Sequence, residues 1–189
     1  MAQVTGRGFF RQIHRTAPVR LAIALWVLFV RLPSSAADES LEYAVKATFL
    51  LNFTKFIEWP AGAGGDPGSP FRICVLGPDP FGSTLDRVVA GEVVFGRKVA
   101  VAKIDREPAP GSCQILFFGD SEGGGRSFAG PGRGVLTVGE GEAFIRSGGM
   151  IGFVIENRRV RFEINRPAAQ AAGLKLSSGL LAVAKSVVK

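Results

Sequence analysis

FRICVLGPDPFGSTLDRVVAG, residues 71–91, holds a strand, a tight turn and a helix in succession, and that order decides the fold. Residues 71–76 form a short apolar run, the signature of a strand buried on both faces. Gly77 and two prolines break it, and residues 80–90 then read as a helix, with Pro80 near its first turn and Gly91 past its end. The spacing of residues 77–84 is also that of a phosphate-binding loop. Such a loop reaches the outer phosphates with a lysine, whereas this one has Ser83, and Pro78 and Pro80 each remove an amide donor. It reads as a structural turn.

Outward from this unit the same alternation continues. Upstream, Leu41, Val45, Phe49, Phe53, Phe56 and Ile57 recur at helical spacing over residues 41–59, and the pattern stops at Pro60. Residues 61–70 are a Gly- and Pro-rich loop. Downstream come a turn at Gly96, a strand from Lys98 to Ile104, a second apolar strand over 113–118 and a third over 135–138. A short helix spans 140–146. Strands at 150–155 and 160–164 flank Glu156-Asn157-Arg158-Arg159, a hairpin turn, and helices over 167–172 and 177–188 are separated by Gly173. Between the strands at 113–118 and 135–138, residues 119–134 are so rich in glycine that a helix there is hard to sustain, at about 1 kcal/mol for each Gly relative to Ala. The expected fold is α/β: a single domain with a roughly six-stranded mixed sheet flanked by about five helices.

The N-terminus is of another kind. Arg7, Arg11, His14, Arg15 and Arg20 precede the apolar run 21–30, which is followed by Pro33 and Ser34-Ser35-Ala36-Ala37. This is the order of a secretory signal peptide, and the run is short of the ~20 apolar residues that span a bilayer. The expectation is a cleaved signal peptide over 1–37, a mature domain over 38–189 and a periplasmic, soluble product; an uncleaved anchor is the competing reading. The full chain has a formal charge of +7, but five basic residues and no acidic ones lie in the leader, leaving 18 basic against 16 acidic side chains, or +2. A nearly neutral body gives no argument for nucleic acid.

Removing the leader also removes His14, the only histidine. Without imidazole, Ser/His and Cys/His nucleophile pairs and His-bearing zinc sites are excluded, so no catalytic residue, metal or cofactor is expected. Catalysis would have to rest on carboxylates, lysine or Tyr43, and no carboxylate pair stands out. Cys74 and Cys113, the only cysteines, lie in the exported part, where an even count favours a disulfide; two buried free thiols are the alternative. Arg158, Arg159 and Arg161 read as a solvated turn, Gly123-Gly124-Gly125 as a surface loop, and Ser186-Val187-Val188-Lys189 as a chance match to the Ser-x-x-Lys spacing of penicillin-recognising enzymes. Fifteen phenylalanines against one tyrosine is an unusual balance. It raises the prospect of apolar surface kept for a partner.

The segments together resemble the YfiR family of periplasmic regulators over nearly the whole mature chain. The resemblance is carried by Glu42-Tyr43-Ala44-Val45-Lys46-Ala47, by Lys55-Phe56-Ile57-Glu58-Trp59-Pro60, and by Ile73-Cys74-Val75-Leu76-Gly77 with Asp79-Pro80-Phe81-Gly82. It continues in Cys113-Gln114-Ile115-Leu116-Phe117, in Val160-Arg161-Phe162-Glu163-Ile164-Asn165 and in Ala172-Gly173-Leu174-Lys175-Leu176-Ser177-Ser178. It implies a small α/β protein, often a homodimer, that represses an inner-membrane diguanylate cyclase and so controls cyclic di-GMP, with an outer-membrane lipoprotein as antagonist. It also implies a disulfide between Cys74 and Cys113. The second, C-terminal cysteine pair of some members is missing here, and a glycine-rich segment stands where members have a leucine-rich helix.

The function expected is therefore non-enzymatic: a periplasmic regulator that binds the sensor domain of a membrane signalling protein, through Phe56 and Trp59 at the end of the first helix and Phe153 and Phe162 on the hairpin. The alternative is a periplasmic sensor that binds a metabolite in an aromatic pocket.

Overall fold

A computed structural model describes residues 35–63, 68–119, 128 and 132–189. The elements are α1 (Ser35–Phe56), β1 (Ile57–Glu58), β2 (Phe71–Leu76), α2 (Thr84–Val89), β3 (Val93–Val94), β4 (Arg97–Ile104), β5 (Ile115–Phe118) and β6 (Leu136–Glu140). They continue with α3 (Gly141–Arg146), β7 (Ile151–Glu156), β8 (Arg159–Asn165), α4 (Arg166–Ala171), β9 (Lys175–Leu176), α5 (Ser178–Val183) and β10 (Ser186–Val188). The expected signal peptide lies almost wholly outside the described residues, and so does most of the glycine-rich segment.

The main sheet has the order β10-β8-β7-β6-β5-β2-β4-β3. β4, β2, β5, β6 and β7 run parallel, β3 and β8 turn back antiparallel on the two flanks, and β10 lies parallel to β8. A buried parallel centre explains the near-continuous apolar runs of β2 and β5, where alternation would have marked a sheet wet on one side. The α/β class and the five helices among the described residues match the expectation; the sheet has eight strands instead of about six. The two extra strands are short edges. Val93–Val94 is too brief for periodicity to register. The helix expected over 177–188 stops at Val183, after which Ser186–Val188 adds to the sheet. A run of small and β-branched residues serves either structure, and the open edge of β8 decides it.

Helices cover both faces. α1, α2, α4 and α5 contribute Leu50, Phe53, Leu85, Val89, Ala169 and Leu180 to one core with Ile73, Val75, Ile115, Phe117 and Ile151. On the other face Phe144 of α3 packs with Phe118 and Phe128 beside Cys74 and Cys113. Phe144 leaves room for no side chain at Gly139 or Gly149, where a Cβ would come within 2.5 Å and 2.1 Å of its ring. Two hairpins close with left-handed residues in both central positions, Phe95-Gly96 and Asn157-Arg158, the geometry that matches strand twist. The expected hairpin at 156–159 is thus present, with Glu156 opposite Arg159.

The phosphate-loop spacing proves structural. The carboxylate of Asp79 accepts from the Phe81 amide at 2.9 Å and pairs with Lys103 at 2.6 Å, so an anion faces the loop. This turn also delays α2 to Thr84, later than the expected start at Pro80.

Cys74 of β2 and Cys113, two residues before β5, form a disulfide with Cα atoms 5.9 Å apart, and both are buried. It closes a loop of 39 residues in sequence separation, which corresponds to about 4 kcal/mol of denatured-state entropy. Replacing both cysteines by serine is expected to lower stability by about 2–4 kcal/mol, read as an earlier urea midpoint, with the far-UV spectrum of the refolded protein unchanged.

Candidate interaction surface on the first helix

Apolar residues fall all around α1, so burying one face leaves another in water. The inner face carries Ala47, Leu50 and Phe53 into the core. Phe49 and Phe53 form a wedge against the β7–β8 ribbon: Phe49 lies 6.0 Å from Phe153 and 5.4 Å from Phe162, and Phe53 lies 6.1 Å and 5.3 Å from the same two rings, centroid to centroid. Offset and edge-on pairs at these separations are each worth about 0.5–1.5 kcal/mol beyond their burial. The outer face presents Leu41, Val45 and Phe56 at 66%, 37% and 45% exposure.

Beside Phe56 a groove of about 370 Å³ opens between α1, β8 and α5. Its walls are Phe49, Asn52, Phe53, Phe56, Phe162 and Leu180, with Val183 on the rim at 59% exposure. A second, shallower groove of about 380 Å³ runs along the same helix past Val45, Thr48 and Asn52. The first helix therefore leaves three apolar side chains exposed, Leu41, Val45 and Phe56, interspersed with Thr48, Asn52 and Lys55, and α5 extends the apolar surface around Phe56 sideways. Its other end is anchored where β1 pairs antiparallel with β9 and the Ser177 amide donates to the Phe56 carbonyl at 2.9 Å.

The four residues expected to meet a partner are placed on different terms, Trp59 against the start of β2 and Phe153 level with the end of β6. Phe56 is presented. Trp59 is half-buried, edge-on to Phe71 and Phe95, with its indole N–H donating to the Gln114 carbonyl at 3.4 Å. Phe153 and Phe162 are each only 2% exposed, which corrects the expectation that the hairpin offers them to a partner. They are directly paired in register on the inner side of the ribbon, where the aromatic wedge of α1 covers them; Phe162 still forms part of the groove wall.

A charged cluster that sequence reading did not single out fixes the N-terminal half of α1. Lys46 is 1% exposed, and its ammonium pairs with Glu42 at 2.5 Å and with Glu140, at the end of β6, at 2.9 Å. The same ammonium sits 4.4 Å from the centre of the Tyr43 ring. The signal was present in the Glu42/Lys46 spacing of four, but an exposed pair of that kind is common and weak. What matters is the tertiary partner, Glu140. Two carboxylates around one ammonium make a clasp between α1 and the end of β6. Among the described residues no group of three or more His, Cys, Asp and Glu could hold a metal ion. No described helix is long and apolar enough to cross a membrane.

The Tyr43 phenol is held above its ordinary value of 10.0, first by burial and then by the Glu140 carboxylate, to which it donates, with Glu42 and Glu39 adding to the effect. The folded chain thus keeps a proton that the unfolded chain loses near pH 10, so this contribution is whole below pH 10 and is lost as pH rises above it. The stability advantage of the wild type over Tyr43→Phe, measured by urea unfolding, is expected to shrink between about pH 8 and about pH 11; an advantage constant over that window would contradict the cluster as described.

No curated protein matches the chain. Among solved structures, the ABC domain from Streptococcus pneumonia in complex with L-Trp aligns at 12% identity with a TM-score of 0.41, over 62% of this chain and 55% of that one. The chain thus spans about half the length of that domain, and a likeness at this level carries no functional weight. The family comparison is of a different order: the profile of the YfiR/HmsC-like family matches residues 43–185, from the clasp on α1 to the entry into β10. The chain belongs to the YfiR/HmsC-like family.

Proposed function

We propose that this protein is an exported, non-enzymatic regulator that binds the periplasmic sensor domain of an inner-membrane signalling protein and holds it inactive. The target that best fits the family is a diguanylate cyclase, so that release raises cyclic di-GMP in the cytoplasm; an outer-membrane lipoprotein acts as antagonist by taking the regulator away. The observation that carries the reading is the set of apolar side chains that α1 leaves exposed, Leu41, Val45 and Phe56, on a helix that the family profile matches from Tyr43 onward. Exposed apolar surface of this extent marks an interaction site. A brake has to discriminate between two states of its target. Moving an equilibrium from mostly active to mostly inactive takes about 5 kcal/mol of differential affinity, which a desolvated cluster around one aromatic anchor supplies. Phe56 is that anchor, Val183 and Leu180 border its groove, and Trp59, packed on Phe71 and Phe95, fixes the chain just beyond it. Phe153 and Phe162 act through the wedge that sets the position of α1.

A host lacking the gene is expected to show raised cyclic di-GMP, restored to the original level by the wild-type protein and not by Phe56→Asp, with the variant exported and folded normally. Restoration by Phe56→Asp equal to that by the wild type would remove this surface from the mechanism.

The groove itself favours one further reading. At about 370 Å³ with a largely apolar wall, it has the size and lining of a small-molecule site, and a bound apolar metabolite would set the regulatory state. A ligand at 100 times its dissociation constant is expected to stabilise the protein by ~2.7 kcal/mol, seen as a rise in melting temperature across a metabolite panel; the same panel tested on Leu180→Trp, which fills the groove, should produce no such rise.

A further inference from the structure

The outer edge of β4 is unpaired along most of its length. β3 pairs only with Arg97 and Lys98, and the Val99 amide closes that corner by donating to the Glu92 carbonyl at 2.9 Å. Beyond this point no strand lies outside β4 among the described residues. Alternation decides which backbone groups are left open. The Ile104 carbonyl accepts from the Gly77 amide, at the end of β2, at 2.9 Å, so Ile104 and Ala102 direct their backbone groups inward, and Val101 and Lys103 direct theirs outward. Such an edge is a template for another strand unless something guards it, and lysine is the usual guard. Lys103 stands on this edge, but its ammonium is drawn back to Asp79 at 2.6 Å and to the Gly82 carbonyl at 3.2 Å. No proline or glycine interrupts residues 97–104, and the register with β2 runs unbroken from Val99 to Ile104, so no bulge turns the edge aside.

A cleft of about 530 Å³ opens beside the same strand. Val99 and Val101 pack on the core under α1 and α2, so Ala100, Ala102 and Ile104 point to the opposite face, where α3 lies over β6, β7 and β8. Over β2 and β4 that face holds the cleft, lined by Arg72, Ala102 and Ile104 from the strands and by Arg106 and Pro108 from the loop that follows β4. Alanine at 100 and 102 keeps the surface of β4 low. A side chain from a strand laid on the edge can lean across it into the cleft. The charges give the cleft two different ends: Lys98 and Arg72, both exposed, stand toward the start of β4, whereas Asp105 and Glu107 follow its end.

We infer that the outer edge of β4 takes up an extended peptide segment of another protein as an added strand. Its backbone bonds to Val101 and Lys103, its apolar side chains enter the cleft, and a carboxylate lies beside Arg72 and Lys98. The open amides and carbonyls require an extended chain, because only a strand offers donors and acceptors at alternate residues. They also exclude proline from the paired stretch, since it has no N–H to give. Main-chain bonds supply the affinity, and the cleft and the two cations supply the selectivity. Four strands separate β4 from β8 in the sheet, so this surface is distinct from the groove beside Phe56, and the inference does not rest on the regulatory reading.

The test selects a displayed library of random short peptides on the purified protein as its host processes it. Enriched peptides are expected to alternate apolar and polar residues, to carry Asp or Glu near one end and to lack proline in between. Made synthetically, they should bind with micromolar dissociation constants by fluorescence anisotropy. Methylating the peptide's backbone amides at alternate positions should abolish binding in one register and spare it in the other, a pattern that docking through side chains alone does not produce. Val101→Pro removes an outward N–H and leaves the ladder to β2 whole; it is expected to weaken binding by about 10-fold or more. Arg72→Glu should weaken it by about 5-fold or more, and Arg159→Glu, the same charge change on the opposite flank, should leave it unchanged. Should Val101→Pro fail to fold, the methylation pattern and Arg72→Glu decide, since both leave the backbone of β4 untouched. A library that yields no binder overturns the inference. So do peptides indifferent to amide methylation, peptides weakened equally by Arg72→Glu and Arg159→Glu, and an edge found occupied by a second copy of the chain.

Discussion

The contact on which the rest of this structure depends is the four-ring wedge between α1 and the β7–β8 ribbon. Phe49 and Phe53 each meet both Phe153 and Phe162, so the first helix is held to the antiparallel flank of the sheet through large side chains. Large spacers set the helix off the sheet, and the groove beside Phe56 lies next to them, walled by Phe49, Phe53 and Phe162. A closer-packed interface of leucine and alanine would have kept the helix and lost the cavity. The interaction surface is thus a by-product of the way the core is filled.

Three further devices hold the helix in place along its length. Near its start the Lys46 clasp ties it to the end of β6; near its finish the β1–β9 pair fixes the exit of the chain; and beyond that Trp59 rests on Phe71 with its indole bonded to the Gln114 carbonyl. Gln114 is itself fully buried, its side chain accepting from the Arg72 amide at 2.7 Å and donating to the Gly111 carbonyl at 3.2 Å. The first and third devices join the N-terminal third to the parallel centre, and the β1–β9 pair joins it to a separate two-stranded sheet. A buried ammonium between two partly exposed carboxylates contributes little net stability, and its worth lies in specifying where the helix sits.

Sequence patterns revealed the parallel centre because burial on both faces leaves an unmistakable mark: the apolar runs 71–76 and 113–118 admit no other reading once helices separate them. The hairpin at 156–159 was equally plain. The edges were not. β10 occupies residues whose local preferences allow a helix, and only the unpaired side of β8 makes them a strand. The site was half legible for the same reason. That α1 is aromatic could be read from spacing alone; which rings face the core depends on the register of β7 with β8, which places Phe153 opposite Phe162 beneath the helix. Glu140 carries no local signal at all. It becomes the partner of Lys46 through a contact nearly a hundred residues apart, which no pattern within one element reports.

Phe144, pressed between Gly139 and Gly149, gives this fold a direction in which it can change. A smaller residue at 144 leaves a void, which a core tolerates at a cost set by how far its walls relax. A methyl group added at 139 or 149 meets the ring itself and has nowhere to go. The three positions can therefore be rewritten in one order only, ring first and glycines afterwards, so that a lineage carrying alanine at either glycine must already have surrendered the phenylalanine.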